Sequence, residues 1–288
     1  MIMEGILKNW KGFVQEAITP EGKIKLSYYA FDWDDNLIEM PTKILFKDTI
    51  NGGIREVETS KFAEIRSELP QLGLEYLPNE GSFINFRDND KANEDFIHDA
   101  VNSPTAKAWP AFVRAINTAS FFAIITARGH SPQALRQGVR EVINAEKEGI
   151  SKAQLLNSIK TYYKLTGIKI PTEDEEMLIS LYLSKCQFSP VSHPSIAGTG
   201  GNSAGSPEKL KEIEFNTFKK KMQDLSSKLR QRNKRLSIND KGFLESHEFE
   251  IGFSDDDIKN VKHMTQATKR SKTVSVFQTD KSGISKVK

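Results

Sequence analysis

Asp32 and Asp34 stand one residue apart in Tyr29-Ala30-Phe31-Asp32-Trp33-Asp34-Asp35-Asn36-Leu37. They lie just past an apolar strand, where an α/β sheet exposes its chemistry. Side chains two apart on an extended chain point the same way, so both carboxylates can share one cation. Their mutual repulsion pushes one of them towards holding a proton, leaving one ionised nucleophile or ligand and one acid. Most acidic turns are merely solvated, so two further strand ends carry the argument. The apolar run Phe121–Ile125 has the character of a buried parallel strand and stops at Thr126-Ala127-Arg128-Gly129, where a hydroxyl can bind a phosphate oxygen. Glu248–Phe253 alternates into Ser254-Asp255-Asp256-Asp257-Ile258-Lys259-Asn260, a second acidic cluster. Oxygen-only clusters suit magnesium rather than zinc.

On these residues the chain resembles the haloacid dehalogenase superfamily, a group of mostly magnesium-dependent phosphatases. Phe31 to Leu37 is similar to the first family motif, which implies Asp32 as nucleophile and Asp34 as general acid/base. Ile124-Ile125-Thr126 is similar to the second, whose hydroxyl holds the phosphoryl group. Asp255-Asp256 followed by Asn260 resembles the fourth. The implied magnesium set is Asp32, Asp34 through its backbone carbonyl, and Asp255, with Asp256 beside it. The third motif is a single Lys, which helix phase helps to find. Ser206-Pro207 opens a helix in which Phe215, Phe218, Met222, Leu225 and Leu229 recur at helical spacing. Lys211, four residues before Phe215, shares that stripe, with Lys209 and Lys241 as alternatives.

The resemblance implies an α/β fold: a Rossmann-like parallel sheet with helices on both faces and a cap insertion after the first strand. It implies hydrolysis of a phosphomonoester through an aspartyl-phosphate, a lid that excludes water, and no zinc or iron. Asn36 departs from the usual Thr or Val but can still donate a hydrogen bond, and with Arg128 it is a candidate substrate contact. Asp35 adds an acid beside the cation that can weaken phosphate binding. Arg128 can grip a second anionic group of the substrate, or instead cap the sheet or pair with the acidic cluster. His130 reads as structural. Two alternatives remain: a catalytically inactive protein of the same fold serving in binding or structure, and a phosphatase acting on nucleic-acid ends.

The elements that must position these residues follow from pattern. Residues 23–37 and 106–265 form the expected core, and 38–105 a cap-type insertion, in which Pro41–Phe46 and Ile54–Ser60 flank the hairpin signal Asn51-Gly52-Gly53. Ser131-Pro132 opens a helix with Leu135, Val139, Val142 and Ile143 as its buried stripe. Ser151 and Gly167 bracket another, Thr172 to Glu175 forms a capping box for a third, and Gln187–Val191 reads as a short strand. Residues 1–22 form an amphipathic segment resembling those that open many tailed-bacteriophage proteins. Residues 195–206 are a flexible Gly/Ser loop without the Gly-Lys-Ser/Thr of a phosphate loop, and 266–288 a basic tail.

The chain has 288 residues and a formal charge of +3, so the basic run from Lys219 to Arg235 and the lysine-rich end do not make it strongly basic. Nucleic acid remains a possible partner, although regularly interleaved aromatics for base stacking are missing. One cysteine, Cys186, excludes an internal disulfide and fits a reducing, cytoplasmic setting. No apolar run approaches membrane-spanning length, and there is no apolar signal-peptide core. Oligomeric state is not legible.

Overall fold

The computed structural model describes residues 25–166, 169–197, 206–233, 248–280 and 283–288. Lys241, the amphipathic segment 1–22 and most of the Gly/Ser stretch lie outside the described residues; residues 195–197 of that stretch belong to a short helix, α7 (Pro194–Ala197).

A six-stranded sheet organises the chain: β1 (Lys25–Phe31), β5 (Phe122–Thr126), β6 (Gln187–Pro190), β7 (Glu248–Asp255), β8 (Val274–Asp280) and β9 (Gly283–Lys286). The order is β6-β5-β1-β7-β8-β9, and every pairing is parallel except β8 with β9. The chain builds outward from β1 to β5 and β6, then returns to the other side for β7 and β8. The order therefore reverses at β1 and β7, and the crevice at such a switch point is where α/β sheets bind ligands. Register puts Phe31 beside Ile124 and Ser254, so the C-terminal ends of β1, β5 and β7 are level.

Alternation along the strands feeds two cores, one on each face, as expected for a sheet covered on both sides. Phe31, Phe122 and Ile124 face one way, towards α3 (Trp109–Asn117), α4 (Pro132–Asn144), α5 (Lys152–Thr166) and α6 (Glu175–Lys185). Tyr28, Ala30, Ala123, Ile125, Ile251 and Phe253 face the other, towards α8 (Pro207–Asn233) and α9 (Ile258–Ala267). Helix α2 (Asp90–Asn102) packs on α4 at Gly138, where an added Cβ would fall 2.7 Å from the buried Phe96 ring. The expected stripe of α4 is buried as read, and Ser131 caps it by accepting from the Ala134 N–H. Helix α6 starts later than its expected capping box, because Asp174 accepts from the Met177 N–H while Thr172 accepts from that of Asp174. Among the described residues, no helix is long and apolar enough to cross a membrane.

Between β1 and β5 the chain builds a small antiparallel sheet, order β3-β2-β4, from β2 (Lys43–Asp48), β3 (Ile54–Glu58) and β4 (Leu74–Tyr76). Gly52 and Gly53 turn the hairpin at φ values of 78° and 83°, a backbone region that favours glycine. Helix α1 (Thr59–Ile65) and a 3-10 segment, Pro78–Phe86, complete the unit around its own core of Ile44, Phe46, Val57, Leu69 and Leu74.

The C-terminal segment differs from the sequence reading. Residues 266–288 are not a tail: they supply the end of α9 and the strands β8 and β9, with Val274 and Val276 buried against β7. Lysines at both ends of the segment mask the short alternating run Val274-Ser275-Val276-Phe277 in its middle.

Candidate active site

Asp32 directly follows β1, and its N–H donates to the Ser254 carbonyl at 3.0 Å, so the sheet ladder itself fixes where its carboxylate emerges. Asp255 closes β7 next door and is fully buried. Its Oδ1 accepts from the Asn260 side chain and from the Asp257 N–H, each at 3.0 Å. Lys211, in the second turn of α8, is brought down by the stripe that buries Phe215, Phe218 and Met222. Its ammonium lies 2.9 Å from Asp32 Oδ2 and 2.8 Å from Asp255 Oδ2, with the side chain only 2 % exposed. Lys209, one of the alternatives, is instead exposed and paired with Glu212.

Carboxylate oxygens of Asp32, Asp255 and Asp256 lie within 4.8 Å of one another, and Asp32 Oδ1 is buried with no hydrogen-bond partner. Three carboxylates face one ammonium. If all ionise, the cluster carries uncompensated negative charge, which either protons or a cation must offset. Burial, with the Asp255 and Asp34 charges adding to it, pushes the Asp32 carboxyl up to about 7 despite Lys211. Burial likewise raises Asp256 well above the ordinary range, with Asp255 and Asp32 adding to the shift. Burial works against the charge on Lys211, but Asp255 and Asp32 outweigh it and hold its pKa above the usual lysine value. An all-oxygen set with one unsatisfied buried oxygen fits a hard divalent cation.

Asp34 turns away from this cluster. Arg128 holds it with Nε to Oδ2 at 2.8 Å and Nη2 to Oδ1 at 2.5 Å, and Nη2 also donates to Thr42 Oγ1 at 2.9 Å. The guanidinium packs against Phe86 and Phe96, 4.8 and 5.1 Å from the ring centroids. Of the roles open to Arg128, the geometry realises pairing with the acidic motif. Thr126 is buried at the tip of β5, and its hydroxyl accepts from the Arg128 N–H at 3.4 Å.

Asn36, expected as a substrate contact, is instead a fully buried tie between strand ends. In the amide orientation that satisfies every neighbour, it donates to the Asp32 carbonyl and Ser254 Oγ and accepts from Thr279 Oγ1 and the Asp255 N–H. That leaves the amide no hydrogen bond for a ligand. His130 is buried, with Nε2 on the Ala92 carbonyl, and burial together with Arg128 lowers its pKa to about 4. It is a neutral core group. Cys186 is likewise buried, its thiol pushed up to about 12 by burial.

The small-sheet unit stands on the core at both flanks of Asp32 and Asp34. On the β5 side, Thr42 meets Arg128, and the Phe86 carbonyl accepts from the Gly129 N–H at 2.9 Å. On the β7 side, Arg66 pairs with Glu208 at 2.7 Å and Asp257 at 3.5 Å. Thr59 also donates to Asp35 at 2.6 Å, and Asp35 holds a left-handed backbone at φ 54°. Sequence reasoning missed Thr42, Thr59, Glu208 and Thr279, because each is defined only by a partner distant in the chain. No protein-family model, curated protein or solved structure gives a significant match to the chain.

Proposed function

We propose that this protein is a magnesium-dependent phosphomonoester hydrolase of the haloacid dehalogenase type, acting in the cytoplasm, with the small-sheet unit as its cap. The observation that carries the reading is the bridge from Lys211 to both Asp32 and Asp255 at a sheet switch point, beside a buried and unpartnered Asp32 oxygen. Asp32, Asp255 and Asp256 would hold the cation, and the family resemblance implies the Asp34 backbone carbonyl as a further ligand. When bound, the cation offsets phosphate charge and so lets an anionic nucleophile approach.

Asp32 attacks phosphorus, forming an aspartyl-phosphate as the ester P–O bond breaks, and water then cleaves the acyl phosphate to return the carboxylate and release phosphate. Asp34 delivers a proton to the leaving oxygen in the first half and takes one from water in the second. The Thr126 hydroxyl and the Lys211 ammonium hold phosphoryl oxygens as charge redistributes.

A second reading, a binding protein of the same fold without turnover, is favoured by one observation. The bidentate grip of Arg128 engages both carboxylate oxygens of Asp34 and holds them away from the Asp32, Asp255 and Asp256 cluster.

Phosphate release from a panel of phosphomonoesters, with magnesium or EDTA, separates the two readings. Magnesium-dependent release abolished by Asp32→Asn is the expected result. A folded protein that binds magnesium yet releases no phosphate from any ester would overturn the hydrolase in favour of the binding protein.

A further inference from the structure

The small-sheet unit straddles the candidate site, with one footing at β5 and the other at β7, while β1 and its two aspartates lie between. Its span between the footings is aromatic. Phe86, at the first footing, lies against the Arg128 guanidinium and 6.3 Å from the Phe83 ring. Phe83 stacks on Tyr76 with centroids 6.0 Å apart and planes at 29°, and stands edge-on to Phe62 at 6.0 Å. Phe62 belongs to α1, the helix capped at its C-terminus by Arg66, the second footing. A chain of rings thus crosses from one footing to the other.

This chain is not sealed as a core would be. Phe62 and Phe83 are partly exposed, and Tyr76 is 52 % exposed although it sits on β4 two residues from the buried Leu74. Burial raises the Tyr76 hydroxyl pKa, with the Arg66 charge opposing that shift. Partly exposed rings on the unit that straddles the acidic cluster match a ligand with a flat π-face next to a phosphate. Bases stack on such rings whatever their identity, because each has a π-face.

We infer that the substrate is a nucleoside monophosphate whose base stacks on the Tyr76 and Phe83 rings while its phosphate enters at Asp32. The inference rests on the hydrolase reading for its chemistry but not for its binding geometry.

The test compares adenosine 5′-monophosphate with ribose 5-phosphate, which lacks the base, in wild type, Tyr76→Ala and Tyr76→Phe, with Tyr76→Leu should the Ala variant fail to fold. The wild-type kcat/KM should favour the nucleotide by about tenfold or more, a ratio that collapses when the ring is removed and survives in Tyr76→Phe. Equal use of the two esters by the wild type, or a ratio untouched by loss of the ring, would overturn the stacking site and leave the hydrolase standing. If neither ester is hydrolysed, calorimetric titration of the same proteins decides the stacking site. Nucleotide binding that weakens about tenfold without the ring supports it, whereas absent or ring-independent binding overturns it.

Discussion

Arg128 and Asp34 form a bidentate pair in which the guanidinium is 1 % exposed and the carboxylate 13 %. Fork-to-carboxylate geometry of this kind is directional as well as attractive, and a lysine cannot reproduce it. Removing the arginine strands a mostly buried carboxylate and opens a gap between Phe86 and Phe96. Arg128→Ala is expected to cost about 3–5 kcal/mol in chemical denaturation, as breaking a buried pair does. Arg128→Lys should recover only part of that loss. Wild-type stability in both variants would show that the pair contributes nothing.

A second expectation concerns pH in the absence of divalent cation. Asp32 titrates near 3.8 in an unfolded chain and is raised to about 7 in the fold. The native state therefore binds more protons than the unfolded state between those values, and its contribution to stability falls as pH rises through that window. His130, held near 4 against 6.5 unfolded, acts in the opposite direction over part of the same range, so the readout is a difference. In EDTA, the gap in Tm between Asp32→Asn and wild type should widen in favour of the variant from pH 4.5 to pH 7.5. Magnesium at pH 7.5 should raise the Tm of the wild type more than that of the variant. A pH-independent gap would contradict the raised carboxyl.

Asn36 predicts a loss of stability. Its amide joins the turn after β1 to Ser254 on β7 and Thr279 on β8, and truncation would leave several buried groups without partners. Asn36→Ala should cost about 1–3 kcal/mol by urea denaturation. A neutral result would mean that water replaces the amide.

Truncation after Thr268 is expected to abolish folding, not to trim a charged appendage. It removes β8 and β9, exposes the β7 edge and deletes the buried Val274, Val276 and Thr279. Circular dichroism and thermal melting of the shortened chain check this directly, and a cooperative melt near the full-length Tm would refute it.

Legibility in the sequence followed the range of each interaction. Local pattern was enough for the Phe122–Thr126 and Gln187–Pro190 strands, the α4 stripe and the Gly52-Gly53 hairpin, because each depends on neighbours in the chain. Lys211 was legible only because helix phase carries position seven or more residues along one face, from Met222 back through Phe215. The Arg128–Asp34 and Asn36–Thr279 contacts were not legible, since they join residues 94 and 243 positions apart. The Val274–Asp280 strand was hidden for a different reason. It is a short alternating run flanked by lysines, and charge content outweighed period in reading it.

The antiparallel β9 has a consequence for how copies of the chain meet. A row of unpaired backbone groups at a sheet margin is a template on which another chain can add, and length, flatness and apolar side chains make the template effective. Both margins of this sheet are poor templates. β6 is a four-residue strand ending in Pro190, whose nitrogen carries no hydrogen to share. β9 is another four-residue strand, largely solvent-facing and ending in Lys286. By covering the longer and better-buried β8, that short lysine-tipped strand protects the protein against edge-to-edge aggregation.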